Sequence, residues 1–454
     1  ENLRRSLFAA LLVDQLRCRG YHWNLPKEEV PLKFVLISIG SAGDVYPFVG
    51  IALALRRRNH SVTLVANGYF EPLVRRLGLD FAPYGTREQY LAAINNPNIW
   101  HPTKGFKTIV NVMMDQRPLY DLIESTRPDA VAAHTLALGA LLADEKLRIP
   151  TATIHLAPAL FRSIHQMPTM IGRVNFSRWP GWFKRFFWWA SDRWVIDPLL
   201  GPSINQIRAD LGLRPVRRLF HEWIHSPRLT VGLFPEWFAP PQPDWPAQAR
   251  LTGFPLFDAV EGIPPEVEQF LDEGDPPIVF TPGSANTHAA KFFRVATDAT
   301  VGLGRRAMLL TRFPEQVPQG LPPTVRQFSF APLSQVLPRC AALVHHGGIG
   351  TTSAGLCCGV PQIVMPLSHD QPDNAARIVR LGAGSRLMPR AFKASNLVRQ
   401  LRALLENPQV SQRCSEYARR CRQTSGIEQT CDLLEQLAVP AKASIHGRRP
   451  TKPA

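Results

Sequence analysis

The clearest chemical signal in this chain is a pair of neighbouring histidines that precede a glycine-rich turn. Residues 345–352 read HHGGIGTT and follow the apolar residues Leu343 and Val344. The apolar residues are typical of a buried parallel strand, and the glycines let the backbone approach a ligand before the threonines begin a helix. Free N–H groups and the dipole at such a helix start favour a diphosphate, and an imidazole adds a hydrogen bond or a positive charge. The turn therefore predicts an anion-binding site.

A second polar pair follows the next apolar strand. Asp370 and Gln371 come after the strand pattern at residues 362–366. A carboxylate and an amide at the end of a strand suit the hydroxyl groups of a sugar. A plain tight turn would explain the glycines, but it would explain neither the paired histidines nor the Asp-Gln pair. The two segments together predict a site for a phosphate and a sugar.

Length and charge narrow the class of protein. A chain of 454 residues exceeds what one hydrophobic core organises, so we expect two domains. The 52 basic and 36 acidic residues give a net charge of +16, which suits nucleic acid, anionic lipid or acidic small molecules. Nucleic acid is the weakest of the three, because no zinc finger, RNA-recognition signature or basic-region helix accompanies the charge.

The expected location is the cytoplasm. No apolar run reaches the roughly eighteen residues of a membrane-spanning helix, and the apolar start of the chain lacks a convincing cleavage site. The seven cysteines form an odd set without paired CxxC spacing, as expected for reduced thiols.

Strand and helix patterns alternate along both halves of the chain. Residues 33–40 (KFVLISIG) predict a buried strand, residues 47–58 a helix with a proline near its first turn, and residues 61–66 a second strand. Further strand patterns lie at residues 130–133, 151–154, 277–280, 307–311 and 325–328. The repeated βαβ order predicts an α/β protein with two doubly wound, Rossmann-like domains.

A change of composition separates the two series of strands. The predicted organisation is an N-terminal extension at 1–30, a first domain at 31–235, a linker rich in Pro and Trp at 236–265, a second domain at 266–437 and a disordered basic tail at 438–454. Ligands of such sheets bind outside the carboxyl ends of the strands. We therefore expect the active site in a cleft between the two domains.

Two separated motifs resemble those of the nucleotide-sugar-dependent glycosyltransferases of the GT-B fold, family 1, which include sterol and antibiotic glycosyltransferases. Residues 38–47 (SIGSAGDVYP) are similar to the family's first strand and acceptor-side loop, and residues 345–371 carry the HHGGIGTT and HDQ motifs. The resemblance covers residues 31–435. It implies that the first domain binds the acceptor and the second binds the nucleotide sugar.

Segments around the linker indicate a closer resemblance within this family. Residues 225–227 (HSP), 233–235 (LFP), 237–241 (WFAPP) and 252–258 (TGFPLFD) look like the rhamnosyltransferase B chains of rhamnolipid biosynthesis. Such enzymes join rhamnose from dTDP-rhamnose to a hydroxyacyl lipid. Relatives with other acceptors share linker segments of this kind, so the match indicates kinship rather than chemistry.

An inverting sugar transfer needs a base for the acceptor hydroxyl. Asp44 is the predicted base, because it lies on a Gly-rich loop after the first strand, where many family members carry histidine and others aspartate. The alternative is that Asp44 caps the helix that begins near Pro47, and the two roles are compatible. His155, at the end of the strand at 151–154, is the second catalytic candidate. Its alternative is a structural histidine that lines the cleft.

The resemblance also implies how the donor is bound. It assigns the diphosphate to His346 and the backbone amides of the turn, assigns a second phosphate-side loop to Gly283 and Ser284, and places Phe330 against the pyrimidine. The predicted donor-binding residues are Gly283, Ser284, Phe330, His346, Gly348, Gly350, Thr351, Thr352, Asp370 and Gln371. His345 is expected to face the other side of its strand. Ala354 replaces a glutamate that binds ribose in plant relatives, so the sequence does not favour UDP over dTDP.

One segment concentrates aromatic residues beside arginine and lysine. Residues 178–194 (RWPGWFKRFFWWASDRW) contain five of the ten tryptophans, and Trp182, Phe183, Phe186 and Phe187 fall on one helical face. One interpretation is an interfacial element that dips toward an anionic membrane and admits a lipid acceptor. The other is an internal lid whose aromatic rings line the acceptor pocket.

The leading hypothesis is an inverting glycosyltransferase that moves a hexose or deoxyhexose to a hydroxyl of a hydrophobic acceptor. Rhamnose and a hydroxyacyl lipid are the specific expectation. The alternatives are a UDP-glucose-dependent transferase for a sterol, polyketide or flavonoid-like acceptor, and a noncatalytic subunit that binds nucleotide sugar. The chain contains no DxD pair and no HExxH, so we expect no metal and no cofactor besides the nucleotide-sugar co-substrate. The expected partners are the donor, the acceptor and, peripherally, the inner face of a membrane, but not nucleic acid.

Overall fold

The computed structural model describes residues 30–439 apart from 102–103, 113–114, 171–175, 177–178 and 259–261. Nearly all of the predicted N-terminal extension and of the predicted basic tail lies outside these residues. The regular structure consists of two parallel sheets with helices on both faces, as the alternating patterns predicted.

The first sheet has seven strands in the described part of the chain, in the order β3-β2-β1-β4-β5-β6-β7, and every neighbouring pair is parallel. Its strands are β1 (Lys33–Ile37), β2 (Ser61–Ala66), β3 (Asp80–Pro83), β4 (Ala130–His134), β5 (Thr151–His155), β6 (Leu229–Gly232) and β7 (Ala249–Leu251). All five residues of β4 and all five of β5 are buried, as expected for central strands covered on both faces. The strand order reverses between β1 and β4, which creates a switch point at their carboxyl ends.

The second sheet repeats this plan with six described strands in the order β10-β9-β8-β11-β12-β13. Its strands are β8 (Ile278–Thr281), β9 (Ala307–Leu310), β10 (Val325–Phe328), β11 (Ala342–His345), β12 (Gln362–Val364) and β13 (Gly384–Arg386). The order here reverses between β8 and β11. The predicted pair of Rossmann-like domains is therefore confirmed, and each has its own switch point.

Sixteen α-helices in the described residues surround the sheets. They are α1 (Ala42–Arg57), α2 (Glu71–Arg76), α3 (Arg87–Asn95), α4 (Gly105–Val112), α5 (Arg117–Thr126), α6 (Leu138–Leu147), α7 (Gly181–Ser191), α8 (Asp197–Asp210), α9 (Pro265–Asp272), α10 (Ala290–Leu303), α11 (Leu333–Val336), α12 (Ile349–Cys357), α13 (Gln371–Leu381), α14 (Ala394–Leu405), α15 (Pro408–Arg422) and α16 (Gly426–Ala438). Helix α1 begins at Ala42, five residues before the predicted start at Pro47, because Ser41 is its N-cap. No helix in the described ranges is both long and apolar enough to cross a bilayer.

The last helix packs on the first sheet rather than on the second. Cys431 and Leu434 of α16 are buried in the same cluster as Phe34 of β1. On the same helix, Glu428, Asp432 and Glu435 form ion pairs with Arg58 at the end of α1. The C-terminal end of the chain therefore contributes one helix to the first sheet. Strand β7 also lies inside the segment predicted as a linker, where it extends the first sheet.

Candidate active site

The two switch points line one cavity. Residues after β1 and β4 form part of its wall, and residues after β8, β11 and β12 form another part. Its volume of about 1060 Å³ is at the upper end of the range for ligand pockets and suits two substrates.

Asp44 lies in the first turn of α1 and reaches the cavity with a third of its side chain exposed. Its Oδ2 accepts hydrogen bonds from the backbone N–H of Ser41 at 2.7 Å and from the Ser41 hydroxyl at 3.0 Å. These contacts belong to a capping box in which Ser41 is the N-cap, so Asp44 takes part from inside the helix and is not the predicted cap before Pro47. Because both bonds engage Oδ2, Oδ1 remains for a substrate hydroxyl.

His134, at the end of β4, is a site residue that the sequence reasoning missed. Its Nε2 lies 3.8 Å from Oδ1 of Asp44, and its Nδ1 accepts the Leu136 N–H at 3.4 Å. That contact on Nδ1 favours the tautomer with a proton on Nε2, directed at the carboxylate. Burial lowers the pKa of His134 while Asp44 raises it, with burial the larger effect. The signal that could have found it is the position of His134 after the strand next to β1.

His155 lies away from the cavity lining. It is fully buried, its Nδ1 contacts the Thr135 hydroxyl at 2.7 Å, and its Nε2 contacts Nδ1 of His225 at 2.9 Å. Burial holds its pKa well below the usual value, and His225 lowers it further. With both ring nitrogens occupied by protein groups, His155 has neither access to an acceptor nor a free nitrogen. The structure therefore corrects both sequence interpretations: His155 is neither placed as a base nor lines the cleft, although Thr135 beside it does.

The two histidines of the glycine-rich turn point in different directions, as expected. His345 is fully buried, with Nε2 on Oε1 of Gln362 at 2.9 Å and Nδ1 accepting the Gly347 N–H at 3.1 Å. His346 lines the cavity, and its Nδ1 is buried without a partner in the described residues. Burial lowers the pKa of His346 to about 4. It is therefore a neutral imidazole at neutral pH and acts as a hydrogen-bonding group rather than as a cation.

Two glycines leave space for the ring of His346. A Cβ on Gly283 or on Gly348 would come within 2.7 Å of the ring, and Gly283 also has a φ of +99°, where other residues are strained. Gly350 has open space around its Cα, and both Gly350 and Thr351 line the cavity at the start of α12. Ser284 also lines the cavity. Most of the predicted diphosphate residues are therefore brought together.

Thr352 is an exception among these residues. It is fully buried and absent from the cavity wall, its hydroxyl donates to the Gly348 carbonyl at 3.0 Å, and its N–H bonds to the same carbonyl. Neither group is free for a ligand, because the helix has already begun at this point. The prediction extended the anion site one residue too far.

Asp370 and Gln371 both line the cavity but are differently engaged. Asp370 precedes α13 without a side-chain capping bond and accepts from Nδ2 of Asn374 at 2.7 Å. Burial raises its pKa to about 7, with a smaller contribution from Asp44. Oε1 of Gln371 accepts the N–H groups of Leu367 and Ser368 at 2.8 and 3.1 Å. Any contact of Gln371 with a sugar would therefore come from its amino group.

A tryptophan from the first domain contacts His346 and His369 in the wall of the cavity. The ring of Trp100 meets those of His346 and His369 edge to face, at centroid distances of 6.3 and 6.0 Å, and its buried Nε1 has no partner in the described residues. His369 has a φ of 58° and bonds through Nε2 to the Ile99 carbonyl at 3.0 Å. Two buried nitrogens without a partner in the described residues, one on Trp100 and one on His346, therefore belong to neighbouring rings. Sequence reasoning missed Trp100 because it lies in a short turn far from the motifs.

The cavity wall also contains a carboxylate that was not predicted. Phe330 lines the cavity as expected, and Ala354 lines it without a polar side chain. Asp258, the last residue of the TGFPLFD segment, also lines it and accepts from the hydroxyl and the N–H of Ser334. Burial raises the pKa of Asp258.

The aromatic segment both lines the cavity and faces solvent. Trp188 is buried and lines the cavity together with Ile196. We define the aromatic patch as the outward residues Trp182, Phe186, Trp189, Trp194 and Val195, which are 45 to 68% exposed. Val195 belongs to both surfaces, so the patch is continuous with the cavity rim. Arg178 lies outside the described residues. In the described ranges, no group of three or more His, Cys, Asp or Glu side chains could hold a metal ion.

Comparisons with known proteins match both domains. The glycosyltransferase family 28 N-terminal domain matches residues 34–166, and the erythromycin biosynthesis protein CIII-like C-terminal domain matches residues 310–424. O-mycaminosyltylonolide 6-deoxyallosyltransferase of Streptomyces fradiae is 29% identical over 90% of this chain and 98% of its own. A sterol 3-beta-glucosyltransferase of Arabidopsis thaliana is 27% identical over 79% of this chain, which spans 58% of that longer protein.

Solved structures share the fold. The glycotransferase of kitacinnamycin has a TM-score of 0.70 at 21% identity and covers 90% of this chain and 100% of its own. The glycosyltransferase VinC in complex with dTDP has a TM-score of 0.63 at 19% identity, over 90% of this chain and 99% of its own. The spinosyn rhamnosyltransferase SpnG has the same TM-score of 0.63 at 17% identity, over 88% and 100%.

Three findings indicate the same family: the architecture, the two domain matches and the similarity to a glycosyltransferase along nearly the whole chain. This chain belongs to the GT-B glycosyltransferases, which use a nucleotide-sugar donor.

Proposed function

We propose that the protein transfers a deoxyhexose from a dTDP-sugar to a hydroxyl of a hydrophobic acceptor, with inversion and without a metal. The observation that supports this best is that Asp44, from one switch point, and His346 and Asp370, beside the other, line a single cavity. A base and a donor-binding site therefore share one space, as group transfer requires.

Asp44 is the proposed base. The acceptor oxygen attacks the anomeric carbon while Oδ1 of Asp44 takes its proton and the bond from that carbon to the diphosphate oxygen breaks. The N–H and the hydroxyl of Ser41 fix Oδ2, while Nε2 of His134 lies 3.8 Å from Oδ1. This arrangement supports Asp44 as a positioned acceptor of the proton rather than as a cap alone.

The leaving diphosphate is assigned to the start of α12. The helix dipole at Gly350 and Thr351 favours negative charge, and the neutral ring of His346 supplies a hydrogen bond. Together these groups are proposed to supply the charge stabilisation that a metal provides in other transferases.

The proposed donor is dTDP-rhamnose. A 6-deoxyallosyltransferase, a spinosyn rhamnosyltransferase and a dTDP complex among the similar proteins support a deoxysugar on dTDP. Thermal shift with dTDP-rhamnose, dTDP, UDP-glucose and UDP separates the donors. We expect stabilisation by the two dTDP ligands. Stabilisation by the UDP ligands alone would reject the proposed donor.

The proposed acceptor is a hydroxyacyl lipid. Apolar side chains cover the acceptor side of the cavity, among them Phe106, Leu136, Leu160, Trp188, Ile196 and Phe220. Mass spectrometry of products from dTDP-rhamnose and hydroxyacyl lipids tests this acceptor. A second candidate is a UDP-glucose-dependent transferase for a sterol, which the similarity to sterol glucosyltransferases favours. Glucosylated sterol without any rhamnosylated lipid would select it.

We also propose that the aromatic patch rests on an anionic membrane and that the protein works at its cytoplasmic face. Trp182, Phe186 and Trp194 are exposed beside the exposed Arg185 and Arg193. The one acidic residue of this segment, Asp192, is buried and paired with an arginine. Exposed aromatic side chains beside exposed arginines suit the interface of an anionic bilayer.

Vesicle flotation tests the membrane contact. Wild-type protein should float with phosphatidylglycerol vesicles at low salt, and replacing Trp182, Phe186 and Trp194 with serine should abolish this. The control replaces Val301 and Val379, two exposed residues outside the patch, with serine and should float normally. Wild-type protein that stays at the bottom of the gradient would reject the contact.

A further inference from the structure

Arg312 is a cavity residue that the proposed transfer does not use. It follows β9 of the second sheet, is exposed and lines the cavity. Its guanidinium donates to the hydroxyl of Tyr69 at 3.1 Å and to that of Tyr46 at 3.4 Å. Both tyrosines belong to the first domain, so Arg312 reaches across the cavity to the acceptor side.

This guanidinium has no carboxylate partner in the described residues. The other arginine in the cavity wall, Arg162, forms an ion pair with Asp192, whereas the contacts of Arg312 are phenols. A guanidinium held only by neutral hydroxyls keeps its full charge and can form a charge-assisted hydrogen bond with an incoming anion.

The surrounding tyrosines hold the guanidinium in position. The ring of Tyr69 stacks on Tyr90 at a centroid distance of 4.5 Å, and Arg87 covers Tyr69 at 5.4 Å. Tyr46 lines the cavity beside Arg312. Because the hydroxyl of Tyr46 accepts from Arg312, its own proton is left to donate. One guanidinium and one phenol therefore present converging donors to the same space.

We propose that Arg312 and Tyr46 bind the carboxylate of an acidic acceptor. The inference rests on the proposed function, because it names the acid group of the hydroxyl-bearing lipid. Two observations favour the acceptor over the donor diphosphate. The partners of Arg312 lie in the acceptor domain, and the diphosphate already has the start of α12.

A third observation places this anchor near the base. Tyr46, whose hydroxyl accepts from Arg312, lies two residues after Asp44 in α1, and all three residues line the cavity. A hydroxy acid with its carboxylate on Arg312 would hold its hydroxyl within reach of Asp44.

The test compares a 3-hydroxy fatty acid with its methyl ester as acceptors for dTDP-rhamnose. A charge-assisted hydrogen bond of this kind should give wild-type enzyme a preference for the acid of about ten- to a hundredfold in kcat/KM. Arg312→Gln should reduce this preference to about one, mainly through KM for the acid. Arg294→Gln, an exposed arginine of α10 outside the cavity, should keep the wild-type preference.

Two further variants keep the test decisive. Arg312→Lys retains the charge and should retain part of the preference. If Arg312→Gln does not fold, Tyr46→Phe, which removes only the hydroxyl, should lower the preference for the acid.

Each contrary outcome has its own meaning. Equal use of acid and ester by wild-type enzyme would overturn the carboxylate site and leave the proposed function intact. Loss of dTDP affinity in Arg312→Gln with an unchanged acid preference would assign Arg312 to the diphosphate instead. Wild-type transfer to neither acceptor would overturn the proposed acceptor, and with it the carboxylate assigned to Arg312.

Discussion

The ends of the two sheets face the same cavity, but their polar side chains differ in exposure and in hydrogen bonding. At the first sheet, Asp44 is a third exposed and has one carboxylate oxygen free. At the second sheet, His346 is buried and Asp370 is half-buried, and desolvation favours the neutral form of each, with a pKa of about 4 for His346 and about 7 for Asp370. The open end suits a group that gains a proton during each turnover. The enclosed end suits groups that hold a ligand by hydrogen bonds and shape.

This difference in exposure indicates where charged side chains are needed in the cavity. On the donor side, the dipole at the start of α12 favours the diphosphate, so neutral side chains suffice there. On the acceptor side, the carboxyl group of Asp44 and the guanidinium of Arg312 line the cavity. The largest mutational effects on turnover should therefore arise at the first sheet, and effects on donor affinity at the second.

Asp44→Asn is the sharpest test of this contrast. The amide still accepts a hydrogen bond from Ser41 but cannot take the acceptor proton, so kcat should fall about a hundred- to ten-thousandfold. Donor affinity, measured by calorimetry, should stay within about twofold of wild type. A tenfold loss of affinity corresponds to about 1.4 kcal/mol and would require the loss of a contact with the donor. Substantial turnover by this variant would remove Asp44 as the base.

A pair of glycine substitutions tests the donor side. Gly348→Ala would place a Cβ within 2.7 Å of the His346 ring, whereas Gly350→Ala has open space. We expect Gly348→Ala to weaken dTDP binding about tenfold or more, because displaced packing and lost contacts exceed about 1.4 kcal/mol. Gly350→Ala should have a smaller effect. Equal weakening by both variants would show that the position of His346 does not matter for the donor.

Asp370 makes stability depend on pH in a direction opposite to that of an ion-paired carboxylate. Its pKa rises from 3.8 to about 7 in the folded chain, so between these values the unfolded state loses the proton while the folded state keeps it. This group therefore lowers the free energy of unfolding as pH rises through that window, by at most about 4 kcal/mol. Asp370→Asn removes the effect. The melting temperature of the variant relative to wild type should be higher at pH 8 than at pH 5, and a difference independent of pH would contradict the raised pKa.

His155→Leu should have the smallest effect on turnover. The change leaves Nδ1 of His225 without its partner, while the Thr135 hydroxyl keeps its bond to the Ile154 carbonyl, so the loss should cost about 1–3 kcal/mol of unfolding free energy. Activity well below the melting temperature should change less than about twofold, because only an interaction with the reacting groups would be worth a tenfold step. A loss comparable to that of Asp44→Asn would return His155 to the catalytic machinery.

The sequence could predict the central strands and the donor-side residues because each is encoded within a short segment. Strands β2 and β10 have the predicted boundaries, and residues 345–351 fold locally around one strand end. Edge strands such as β3 and β13 were missed because three or four residues with mixed burial give no clear period.

The acceptor-side contacts could not be predicted in the same way. His134 meets Asp44, and Arg312 meets Tyr46, only because strands far apart in sequence end at neighbouring places. Thr352 shows that a local motif can also mislead. It fits the motif by residue type, but its N–H already bonds within the helix. Such assignments depend on tertiary pairing rather than on local pattern.

The return of α16 to the first sheet has a consequence for engineering. A chimera that joins the acceptor half of this chain to the donor half of a relative at residues 252–258 would pair α1 with a foreign C-terminal helix. The chimera would keep these contacts only if the foreign helix carried equivalents of the three carboxylates that pair with Arg58 and of the buried Cys431 and Leu434. A working exchange of acceptor specificity therefore requires two crossovers, with residues 426–438 taken from the same parent as the first domain.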